Sequence, residues 1–189
     1  MRRRINVLAT GVLLPGVLAL AGCGLDANAG TGNRAPAATA GRACQVVEYE
    51  VVAKATGTTF DTAGGAQSGE TYTCVLGVTG KTFPDLTVAM TPSTISAVIF
   101  IATVRPSGSL DIDQLGVEAY QATLEPKTAA DGTVSGPVLE LGWISASHRL
   151  VFLKYAFPAS ATPADVEAFA PGLIRLAISI DQVLNAAPK

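Results

Sequence analysis

Histidine is almost absent from this sequence: His148 is the only one. Cysteine is scarce too, with Cys23, Cys44 and Cys74 as the full set. A zinc site needs several Cys or His ligands brought together, so neither a zinc centre nor any other metal or cofactor is expected. Charged residues make up only 15% of the chain, and the net charge is −2. That balance gives no electrostatic reason to bind nucleic acid or to lie on anionic lipid. No Gly-x-Ser-x-Gly elbow is present to present a hydrolase nucleophile. Gly80-Lys81-Thr82 lacks the upstream glycine and following helix of a phosphate loop. The apolar run from Val7 to Leu20 is too short for a permanent span, which takes about 20 residues, and Pro15 interrupts it.

What is present begins at the N-terminus. Arg2, Arg3 and Arg4 precede that apolar run, and the small residues Ala21 and Gly22 follow it, as in a secretory signal. Leu20-Ala21-Gly22-Cys23 resembles a bacterial lipobox. The resemblance implies cleavage before Cys23, diacylation of its thiol, and a lipid anchor holding the protein on the extracytoplasmic face of the cell membrane. Residues 1–22 are then a lipoprotein signal peptide. Loss of the three arginines takes the net charge from −2 to −5. Residues 23–42 form the lipidated cysteine and a flexible linker, rich in Gly, Ala, Thr, Asn and Pro and without apolar periodicity. Such a coil spans roughly 25 Å. Residues 43–189 are expected to be one extracytoplasmic domain, long enough to bury its own core. With Cys23 carrying lipid, Cys44 and Cys74 remain, and two thiols outside the cytoplasm are expected to pair.

The domain is read as α+β: an antiparallel sheet of about five strands with helices packed on one face. Val46 to Gly57 reads as a short helix, although its β-branched residues suit a strand nearly as well. Ala63 to Gly69 reads as a loop. Tyr72–Leu76 and Leu86–Met90 alternate as a hairpin. Ile95 to Val104 leans to a helix capped by Ser93, with Ile95, Val98, Ile99 and Ala102 on its apolar side. Arg105 to Asp113 reads as a polar loop. Val117–Leu124, Val138–Ser145 and Leu150–Phe157 supply three further strands. Thr162, Pro163 and Asp165 open an amphipathic C-terminal helix. Pro171 either kinks that helix or divides it in two.

Together the lipobox, the linker, Cys44 with Cys74, Leu115-Gly116-Val117-Glu118-Ala119-Tyr120, the Trp143–Tyr155 hairpin and the closing helix resemble the small secreted actinobacterial cell-envelope lipoproteins of unknown function. Relatives carry Gly-Asp-Glu-Ala where this chain has Gly116-Val117-Glu118-Ala119. The resemblance implies an envelope lipoprotein and assigns no catalytic residue. The function expected is a non-enzymatic binding or accessory domain whose partners are the membrane, through its anchor, and an envelope protein or apolar ligand. The alternative is a carrier of lipid or another apolar ligand, with Trp143, Phe152, Tyr155 and Phe169 as the candidate apolar pocket. A weaker reading is a hydrolase using Ser145 or Ser147 with His148. Asp111 and Asp113 are read as solvated loop charges rather than calcium ligands. Glu118 and Glu140 lie on predicted strands; a paired-carboxylate glycosidase site would need the two at a defined separation in a cleft, which a sequence does not show.

Overall fold

The computed structural model describes residues 41–186 together with Ala37. A 3-10 turn, Arg42–Val46, comes first, then α1 (Tyr49–Thr56), β1 (Thr62–Ser68), β2 (Thr71–Val78), β3 (Lys81–Pro92) and α2 (Ala97–Thr103). β4 (Leu110–Asp111), β5 (Glu118–Leu124), β6 (Val138–Ser145), β7 (Arg149–Ala156) and α3 (Pro163–Ala186) complete the chain. The result is a single α+β domain with one antiparallel sheet of seven strands, in the order β1-β2-β3-β7-β6-β5-β4.

The two strands beyond the expected five are the sheet's edges. Ala63 to Gly69 is not a loop: Thr62–Ser68 pairs with β2 from Thr62↔Gly77 to Ser68↔Thr71. A ladder is made by backbone groups, so Gly and Ala can fill an edge strand that buries little. Leu110 and Asp111 leave the expected polar loop to pair with Gln121 and Tyr120.

Period-two alternation builds the main core. Leu86, Val88 and Met90 of β3, Val151, Leu153 and Tyr155 of β7, and Leu139, Leu141 and Trp143 of β6 share one face. Val52 of α1 and Leu173, Leu176, Ala177 and Ile180 of α3 cover it. The helix reading of the first segment holds: α1 closes at Gly57, which takes the left-handed conformation (φ 70°) and donates its N–H to Ala53 O.

The expectation that all helices pack on one face is corrected. Phe100 of α2 is buried against Tyr120, Ala122 and Ile144, on the opposite face of β5 and β6. The apolar side of α2 also differs from the expected one. Ser96, not Ser93, is the cap, accepting from Ile99 N at 3.4 Å. The helix starts three residues later than the Ser93 cap implied, and Val98 and Ile99 face solvent while Phe100 turns inward.

α3 runs unbroken through Pro171. A proline in a helix interior costs about 3 kcal/mol, but Val166 and Ala170 before it and Leu173 and Leu176 after it bury one continuous stripe in the core. At its start Asp165 Oδ2 accepts from Thr162 N and Oγ1, both at 2.7 Å. These bonds, the backbone one foremost, hold the Asp165 carboxyl below its ordinary value. A carboxyl lowered in the folded state adds stability above its unfolded pKa and loses it as pH falls through the folded one. Asp165→Asn should therefore flatten the acid limb of a melting-temperature titration below pH 3.8. An acid limb identical to the parent's would remove this cap from the account.

Gly172 sits where α3 crosses α1. A Cβ there would come within 2.1 Å of Ala55 O. Alanine for glycine inside a helix ordinarily gains about 1 kcal/mol, but here two backbones must separate, at about 1–3 kcal/mol or more. Gly172→Ala is expected to lower the denaturation midpoint. A raised midpoint would mean that α1 yields without cost.

Candidate functional site

Cys44 and Cys74 form a disulfide that ties the 3-10 turn to β2, and both residues are buried. The turn packs against β1, β2, β3 and α3. It thereby closes one side of a cleft of about 430 Å³ at the end of the sheet. Gln45 and Val46 come from the turn, Tyr72 from β2, Met90 from β3, Arg149 from β7, and Val183 and Leu184 from the end of α3.

Register explains the cation in this mostly apolar lining. Arg149 is two residues before Val151, so it points to the same face as the main core. It lies at the strand end, opposite Pro92, near the last turns of α3. Its Nη1 lies 4.0 Å from Met90 Sδ. None of the three ion pairs among the described residues involves it.

Of the four aromatic residues expected to make a pocket, only Tyr155 and Phe169 are brought together. Trp143 is fully buried and donates Nε1–H to Asp181 Oδ1 at 2.9 Å. Tyr155 and Phe169 stack at 4.1 Å between centroids, with Phe157 edge-on to both. Burial pushes the Tyr155 hydroxyl up, and it is hydrogen-bonded to Thr58 Oγ1 at 2.7 Å. Phe152 lies on the other face, near Phe100, with Lys154 Nζ 5.8 Å from its ring centre. None of these four lines the cleft. Cys23 lies outside the described residues.

The remaining candidates have structural partners. Ser145 Oγ donates to Asn185 Oδ1 at 2.9 Å and is bonded to Ser147 Oγ at 2.8 Å. His148 is an exposed turn residue with φ 58°. Asp111 pairs with Arg105 beside a second hollow of about 520 Å³, which Asp113 and Glu118 also line. Among the described residues no group of three His, Cys, Asp or Glu is placed to hold a metal ion. Glu140 is buried, accepting from Tyr120 OH at 2.7 Å and paired with Lys154 at 2.5 Å. Burial above all, and then Glu140, raises the Tyr120 phenol well above its ordinary value. Among the described residues no helix is long and apolar enough to cross a membrane.

No protein-family model matches the chain, and neither does any curated protein or solved structure.

Proposed function

We propose that the chain is an extracytoplasmic lipoprotein, anchored through Cys23, whose domain is a non-enzymatic binding or accessory module of the cell envelope of the actinobacterial kind. The observation that carries this reading is the buried Cys44–Cys74 disulfide, which ties the first turn to β2. Disulfides persist in oxidising compartments, which agrees with export by the Leu20–Cys23 signal. Cys23→Ala, or treatment with the lipoprotein signal peptidase inhibitor globomycin, should release the protein from the membrane fraction or stall its maturation. Unchanged partitioning and mass after both would end the anchor reading.

The cleft favours a second reading, a carrier of an apolar ligand. Its volume is within the roughly 300–1,000 Å³ usual for small-molecule sites, and apolar side chains make most of its wall. Native mass spectrometry of the exported protein should then show a bound small molecule. Its consistent absence counts against the carrier.

A further inference from the structure

We propose that the cleft binds a single-chain amphiphile with one negative charge, its head on the Arg149 guanidinium and its chain along Val46, Tyr72 and Leu184. The proposal rests on the carrier reading and names its ligand class.

Three observations carry it. The first is phase. Along β7, Val151, Leu153 and Tyr155 all face the core, and Arg149 continues that row. Where the pattern calls for another apolar side chain, the strand supplies a guanidinium. The second is partnership. A thioether sulfur is a weak acceptor, so Met90 Sδ engages little of a guanidinium that offers five donors. The carboxylate on this stretch of α3, Asp181, is already bonded by Trp143 Nε1 and Asn185 Nδ2. A guanidinium matches a carboxylate in two parallel bonds, and an anionic head would supply the partner. The third is size. About 430 Å³ is near the lower end of the ligand-site range, which suits one acyl chain rather than the two of a phospholipid. The ligand is therefore a free single-chain acid rather than a membrane headgroup.

The experiment uses the full exported chain carrying Cys23→Ala, so that no detergent competes. Dodecanoate below its micelle concentration and dodecanol below its solubility limit are titrated by calorimetry. Dodecanoate should bind one to one and at least ~10-fold more tightly than dodecanol, since a charge-assisted bond contributes about 1.5–3 kcal/mol. Arg149→Gln should erase that preference, and Arg149→Lys should restore part of it. Val183→Trp, at a half-exposed position on the cleft wall, should weaken both ligands and keeps the test open if the Arg149 variants fold poorly. Equal binding of acid and alcohol, unchanged in Arg149→Gln, overturns the head-group assignment and leaves the carrier reading standing. Binding of neither overturns both. Binding to phosphatidylglycerol vesicles but not to free dodecanoate overturns the proposal in favour of a membrane contact. Full dodecanoate affinity in Val183→Trp moves the site elsewhere.

Discussion

Cys44→Ser is expected to lower the stability of the domain by about 3.5 kcal/mol, the chain-entropy value for a crosslink of this span. The two cysteines are 30 residues apart. At roughly 2–4 °C per kcal/mol for a domain of this size, the melting temperature should fall by about 10 °C. Burial adds to the loss, because the hydroxyl would replace a sulfur in a wholly buried position. The damage should start locally. The 3-10 turn is held across the sheet by this bond, and without it Gln45 and Val46 no longer wall the cleft. Hydrogen exchange should therefore show faster exchange at Cys44–Val47 and in β2 before the rest of the sheet. Reducing agent added to the parent should reproduce the variant. A melting temperature within about 2 °C of the parent would show that the turn is held by its packing alone.

The parts of the fold that could be read in the sequence are those where side chains carry the information. β6 and β7 alternate apolar residues on a face that is buried, and Thr162-Pro163 with Asp165 fixes the start of α3. The misses fall where backbone or distant packing decides. β1 is Thr-Ala-Gly-Gly-Ala-Gln-Ser, with no apolar alternation, and only pairing with β2 makes it a strand. β4 is two residues long and exists through its bonds to β5. The placement of α2 turns on Phe100 reaching Tyr120, whose ring covers Gly142 closely enough that a Cβ there would lie 2.6 Å from it. Nothing near Phe100 in the sequence announces that contact.

The cleft was only half legible. Cys44 and Cys74 were visible as a pair by arithmetic, and the apolar residues of α3 by their spacing. Arg149 was the missed signal. It stands in phase with Val151, Leu153 and Tyr155, but a strand begun at Leu150 hides that phase. The aromatic residues drew attention because they are large. Size is also why they fill the core: Trp143 is fully buried, and Tyr155, Phe157 and Phe169 close on one another.

Beneath α2, Lys154→Met is expected to cost about 2–3 kcal/mol at neutral pH. Removing one member of a buried ion pair typically costs about 3–5 kcal/mol, and the figure is reduced here because the lysine side chain is 40% exposed. The Glu140 side chain is only 6% exposed, so that carboxylate bears the loss. Methionine keeps the stem packed near Phe152 while removing the charge. It leaves Glu140 buried with Tyr120 OH as its remaining partner. Glu140→Gln alone should cost less, about 1 kcal/mol, because the exposed lysine can turn to water and the amide oxygen still accepts from Tyr120. The double variant should recover most of the Lys154→Met loss, giving a coupling energy of about 2–3 kcal/mol in a double-mutant cycle. Additive losses would mean that Lys154 stabilises the sheet only through its contact with Phe152.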